Sequence, residues 1–250
     1  MPKSNPRLEE IRKKNAEWEK ATPYNYCDRW CERCPHETQM RCRLYLDDLE
    51  RRATCLAHGK EEDDPEITEA VLEAQHADLG RKLGETAQRL DIDLDQPDLE
   101  EPHEDQAIEF EDLPQEIQRH ITFVQNHPLP VTVDEYRKRA HQFLKNTFYE
   151  KKEVPAALKY DFETIAWYHT LLPAKIQRAL AGFHEPVCED EYALYDAIVQ
   201  FDICQKAVKK SAEAIRQLKT HYPKHAMLLT EMLALLSNIL SRIEAMEESI

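Results

Sequence analysis

"KHAMLLTEMLALLSNILSRIEAMEE", residues 224–248, places Leu228, Met232, Leu235, Ile239 and Ile243 at steps of three and four. Such steps return to one side of a helix with about 3.6 residues per turn, so the stretch predicts a helix that buries one apolar stripe in a core. A stripe of this kind is core material before it is a cofactor box. The segment before it, about 189–220, reads as a second long helix, and "HYPKH" joins the two as a hairpin.

Working toward the N-terminus, the helical signal continues to Leu113. "VTVDEYRKRAHQFLKNTFYEKK" opens with Thr132 and Glu135 at capping-box spacing, and its apolar face runs through Tyr136, Ala140, Phe143, Leu144 and Phe148. In "VPAALKYDFETIAWYHTLLPAKIQRALAG", Pro173 should kink or divide the helix and Gly182 should end it. The chain has only 4 glycines in 250 residues, with long runs rich in Ala, Leu, Glu, Lys and Gln, which favours helices over sheets. The expectation is an all-α protein whose residues 113–250 form a bundle of four to five helices. A short helix over "NPRLEEIRKKNAEWEKA", with Leu8, Ile11 and Trp18 on one side, begins an N-terminal region of residues 1–60.

Between these regions the charge is concentrated. The chain carries a formal −15, yet residues 61–116 alone hold 21 Asp or Glu against Arg81, Lys82 and Arg89, a local net of −18. Residues 61–112 therefore read as an acidic segment: one helix over about 66–90, started at Pro65, and then a disordered linker that cannot bury enough apolar surface to order itself. A chain this acidic is a poor general binder of nucleic acid, whose phosphates require clustered Lys and Arg.

The N-terminal region holds the chemistry. "YNYCDRWCERCPHETQMRCRLY", residues 24–45, places Cys27, Cys31, Cys34 and Cys42 in the pattern CxxxCxxCx7C. There is no apolar stretch of signal-peptide length at the start and no uninterrupted membrane span, so the expectation is a soluble, cytoplasmic protein in which crowded cysteines are thiolates held by metal rather than disulfides. If residues 24–34 form a helical turn, Cys27, Cys31 and Cys34 share one face, and Pro35 lets the chain fold back to bring Cys42. A [4Fe-4S] cluster takes its ligands at separate corners, while tetrahedral Zn2+ draws its sulfurs closer together. The spacing favours the cluster, with Zn2+ the alternative and unligated thiols the third reading. His36 and Cys55 are alternate ligands. Arg29, Arg33, Arg41 and Arg43, interleaved with Trp30 and tyrosines, could contact a polyanion; salt bridges to neighbouring acids are the plainer account.

Three resemblances attach to these residues. The trio CxxxCxxC is similar to the cluster motif of radical S-adenosylmethionine enzymes, whose barrel and glycine-rich strands this glycine-poor chain does not supply. "CERCPHETQMRC" resembles the cysteine patch of iron–sulfur nucleases, whose Asp and Glu-x-Lys core has no counterpart here. "YNYCDRWCERCP" with a further Cys looks like bacterial proteins of unknown function that join such a segment to a helical C-terminal region, a resemblance that implies no activity.

Elsewhere, "DFETIAWYHTLLPAKIQR" concentrates Asp161, Glu163, Tyr168, His169, Lys175 and Arg178, but it lacks the ExxH pairing of di-iron bundles and reads as a polar helix face. No phosphate-binding glycine loop, GxSxG turn or HExxH is present, and no reaction is assigned. The expected partner is a protein docking on the helical bundle; nucleic acid is a disfavoured partner, and no membrane is expected.

Overall fold

The computed structural model describes residues 5–90, 109–150, 154–183 and 192–250. Among these residues it contains no strand, and the α-helices in chain order are α1 (Pro6–Glu19), α2 (His36–Gln39), α3 (Arg43–Ala57), α4 (Pro65–Leu90), α5 (Gln115–Asn126), α6 (Pro128–Leu144), α7 (Ala156–Phe183), α8 (Tyr192–His221) and α9 (Ala226–Glu248). The all-α expectation is met. Most of the expected linker, residues 91–108, and Cys188 lie outside the described residues.

The chain divides into two units: Met1–Arg33 with Leu113–Ile250, and Cys34–Asp112. The sequence placed a boundary near residue 60, whereas the structure places it at Arg33. The reason is that α1 and the turns after it belong to the same core as the C-terminal helices.

In the first unit, α6 packs against α7 and α9, and α8 against α7 and α9, which closes a ring of four helices. Neighbours run antiparallel. Along α7 and α8, Arg178 pairs with Asp196, Lys175 with Gln200 and Phe162 with Tyr222, so one chain descends as the other climbs. Phe143 stacks on Phe162 and meets His225, linking α6 to α7 and to the turn before α9. The interior is filled by Tyr136, Phe143, Phe162, Tyr168, Phe201 and the aliphatic residues between them, all fully buried.

Several local expectations change in phase or in place. The buried stripe of α9 is Leu229, Met232, Leu236, Ile239 and Ile243, with Leu228 and Leu235 at its margin, a small rotation set by the helices on either side. With its preceding turn, Pro223–Glu248 is the one described helix apolar and long enough to cross a membrane by length and composition; its buried side faces the other core helices. Thr132 does not cap α6. That helix starts a turn earlier at Pro128, capped by His127 Nδ1 accepting from the Leu129 amide at 3.2 Å, and Thr132 Oγ1 donates back to the Pro128 carbonyl at 2.9 Å. Pro173 lies inside α7 without dividing it. Gly182 lies within the last turn of α7, where a Cβ would stand 2.6 Å from the Ala193 carbonyl oxygen, so its role is close approach to α8 and not termination.

Helix α1 begins with Asn5 Oδ1 accepting from the amides of Arg7 and Leu8, and Pro6 opens its first turn. It buries Leu8, Ile11 and Asn15 at helical steps against α8. Asn15 Nδ2 donates to the Tyr195 carbonyl at 3.0 Å, Trp18 lies against the rings of Tyr192 and Tyr195, and Arg12 joins Asp202 to Glu247 at 2.6 and 2.7 Å. Burial opposes the Arg12 charge, but the two carboxylates outweigh it and raise its pKa. Burial pushes the Glu247 carboxyl upward, and Arg12 pulls it back in part.

The second unit has a smaller core. Its α3 and α4 pack together, its buried residues among those described are Cys42, Cys55 and Ala87, and large apolar side chains on both helices stay exposed.

Candidate metal centre

The expected helical turn over residues 24–34 does not form. Pro23–Asn25 and Cys31–Arg33 are single 3-10 turns, and between them the chain is irregular, with Arg29 in the left-handed region at φ 58°. Cys27, Cys31 and Cys34 therefore do not line one helix face. The cause lies in the residues between the cysteines, which are committed to α7.

Asp28 organises this stretch. Its Oδ1 accepts from the Trp30 amide at 3.3 Å, its Oδ2 accepts from the Tyr168 hydroxyl at 2.7 Å, and its carbonyl accepts from Trp167 Nε1 at 2.9 Å. Trp30 then stacks on Trp167 at 5.4 Å and meets Tyr168 edge-on. Burial pushes the Tyr168 phenol upward, and the Asp28 carboxylate adds to the shift. The guanidinium of Arg33 is held between two aromatic rings, 3.5 Å from the centroid of Trp30 and 3.9 Å from that of Tyr160. It also bonds Glu163 Oε2 at 2.7 Å and Thr164 Oγ1 at 3.1 Å. Planar Arg suits this site because it stacks and forks at once.

Tyr160, Glu163, Thr164, Trp167 and Tyr168 sit at steps of three, one, three and one along α7 and form a single face. That face seats residues 28–33. Glu163 and Tyr168, expected on a polar helix face, and Arg33, expected either to pair with a neighbouring acid or to meet a polyanion, all hold the cysteine segment, with the acid that pairs with Arg33 being the distant Glu163. The aromatic spacing in "YDFETIAWYH" was the available signal.

Cys27 is half-buried, and its Sγ lies 3.8 Å from the Tyr24 carbonyl oxygen as a weak donor. Lys175 lies within electrostatic reach of Cys27 and Cys204 and donates to Gln200 Oε1 at 2.8 Å. Burial lowers the Lys175 pKa, Arg178 and Arg29 lower it further, and the two cysteines oppose that shift. Cys204 is fully buried, which pushes its thiol well up, so it is a core residue and no nucleophile at neutral pH. Cys31 is exposed.

In the second unit, Cys34 is half-buried before Pro35, and His36 is exposed in the first turn of α2. Cys42 is buried at the N-cap of α3, with extended backbone, its amide donating to Gln39 and its carbonyl accepting from Leu46. Cys55 is fully buried near the end of α3. Arginines of this unit pair locally: Arg43 with Asp47, Arg51 with Asp48 and Asp63, Arg52 with Asp48 and Glu62. Arg41 Nε donates to the Glu37 carbonyl at 3.4 Å, and Arg29 lies 5.9 Å from the Tyr24 ring.

None of the six described cysteines is in a disulfide. Cys27 and Cys31 belong to the first unit, Cys34 and Cys42 to the second. Among the described residues, no group of three or more His, Cys, Asp or Glu side chains is gathered as a metal site. No protein-family model, curated protein or solved structure matches this chain.

Proposed function

We propose that this is a metal-binding protein of a reducing compartment, in which Cys27, Cys31, Cys34 and Cys42 take up a [4Fe-4S] cluster, with Zn2+ as the second metal to test. The observation that carries the reading is the crowding of four thiols into sixteen positions, all on short turns or extended backbone. A cysteine loses its proton to bind metal, so uptake releases protons, and the free energy of binding can help order a segment that holds the ligands on short turns. The seat on α7 supports this chemistry by fixing the backbone around Cys27 and Cys31, so fewer residues must be ordered when the metal binds. In this reading the cluster serves electron transfer, sensing or stapling of the cysteine lobe, and the helical bundle offers the face for a protein partner. Zn2+ would make the same segment a structural module that contacts protein or nucleic acid.

Ultraviolet–visible spectroscopy with iron and zinc analysis on anaerobically purified protein is the test. A broad band near ~400 nm with about four irons per chain is the expected result; about one zinc and no colour selects the second metal. Cys31→Ser should lower metal content and loosen residues 24–55 toward protease while the first unit's core keeps its unfolding transition. Full metal occupancy in that variant, or no bound metal in the native chain, removes the proposal.

A further inference from the structure

Helix α4 carries an exposed row that the fold of its own unit does not use. Ile67, Thr68, Val71, Gln75 and Asp78 are partly covered along one flank, and toward the C-terminal end Ala87 is buried and Gly84 partly covered on the other flank. Leu72, Leu79, Leu83 and Leu90 are instead 44%, 55%, 55% and 58% exposed. At about 100° per residue these four leucines fall within roughly 40° of one another, on the exposed strip between the two covered flanks. Their steps of seven, four and seven are those of a heptad seam.

The seam reads the same in both directions about Arg81. Leu72 and Leu90 are equidistant from it, as are Leu79 and Leu83, and so are the polar seam positions His76 and Thr86. A two-fold axis at Arg81 therefore sets Leu72 of one chain against Leu90 of the other and Leu79 against Leu83, the self-complementary pattern of a closed dimer.

Charge selects the direction. Residues 65–78 contain Glu66, Glu69, Glu73 and Asp78 and no Lys or Arg, whereas residues 79–90 contain Arg81, Lys82 and Arg89 against Glu85. Asp78, Arg81, Lys82 and Glu85 pair along the helix near its middle. Glu69 and Glu73 are left toward one end and Arg89 toward the other. Antiparallel pairing lays the acidic end over the basic end; parallel pairing stacks acid on acid. Gly80, which flanks the seam at its centre, has nothing within 4 Å of where a Cβ would be, so no side chain of its own stands beside Leu79 and Leu83 there.

We propose that α4 binds α4 of a second copy of this chain in an antiparallel coiled coil centred on Arg81. The test is light scattering on the full chain over a dilution series, with reductant present so that no intermolecular disulfide imitates the pairing. The expected mass is that of two 29.4 kDa chains at high concentration. Leu79→Asp with Leu83→Asp should return one chain with helix content unchanged, because both side chains are exposed. Glu69→Gln with Glu73→Gln should weaken the dimer about threefold, and it remains decisive if the leucine variant loses helix. A single-chain mass for the native protein at every concentration, a dimer untouched by the leucine changes, or a dimer tightened by the glutamines overturns the proposal.

Discussion

The two units of this protein solve the burial problem differently. In the first, Phe162 lies fully buried with Phe143, Phe148 and Tyr222 around it at 5.2–5.8 Å, and every core helix has two neighbours in the ring. In the second, two helices share one seam and leave leucines on the outside. Helices gain most of their stability from a packed apolar face, so the first unit can stand on its own contacts, while the second leaves much of its apolar surface in water. The largest test of that contrast pairs one residue from each. Phe162→Ala should cost the first unit about 3–5 kcal/mol in urea unfolding, the sum of lost transfer energy and an unfilled cavity. Leu56→Ala, in the second unit and 57% exposed, should cost less than about 0.5 kcal/mol. Equal losses would erase the distinction between the units.

A smaller effect probes the place where the first unit grips the cysteine segment. Glu163→Gln leaves Arg33 stacked between Trp30 and Tyr160 but removes its anionic partner. Both side chains keep some contact with water, 22% and 36% exposed, so the pair is screened and the expected loss is about 0.5–1 kcal/mol. Hydrogen exchange at residues 28–33 should quicken more than exchange in α8. If the whole unit loosens uniformly, α7 is not a seat for this segment but simply part of one indivisible core.

The contrast also explains what could be read from sequence. Helix period is a local property, and the helices α1, α4, α8 and α9 fall close to their expected spans. Phase is not local. The stripe of α9 rotates from Leu228 and Leu235 to Leu229 and Leu236 because the neighbouring helices decide which side is inside. The start of α6 was a competition between two valid signals, Thr132 with Glu135 and His127 with Pro128. The earlier start wins because it brings Leu129 and Val133 into the core, where both are fully buried. The candidate site was legible as a set of cysteines, and its support was not. Arg33 meets Glu163 across 130 positions, and nothing in "CERCP" announces Trp30, Tyr160 and Trp167 as its neighbours. A helical turn over residues 24–34 satisfied the cysteine spacing, but it gave way to the aromatic and hydrogen-bonded contacts of Asp28, Trp30 and Arg33.

A last effect is a pH dependence of the first unit. His169 is buried in α7; its Nδ1 lies 2.8 Å from the Ala166 carbonyl oxygen and 3.1 Å from that of Ile165, and the His141 ring stacks above it. Burial lowers its pKa from the model-compound value of 6.5, the backbone carbonyls offset part of that, and His141 and Arg137 add to the lowering. The unfolded chain therefore binds a proton more readily than the folded one below pH 6.5. Stability is complete above that pH and is lost as the pH falls through it, with a slope of at most about 1.4 kcal/mol per pH unit for one proton. Glu247 works in the opposite sense, since its raised carboxyl pKa favours the fold at low pH and loses that advantage as the pH climbs from 4.5. Comparing native protein with His169→Gln at pH 7.5 and 5.5 cancels the Glu247 contribution, which both share. The native chain should lose more stability between the two pH values than the variant does. Equal losses would mean that the imidazole takes up its proton in the folded chain through local opening of α7, and that the helix seating the cysteine segment is less rigid than the core behind it.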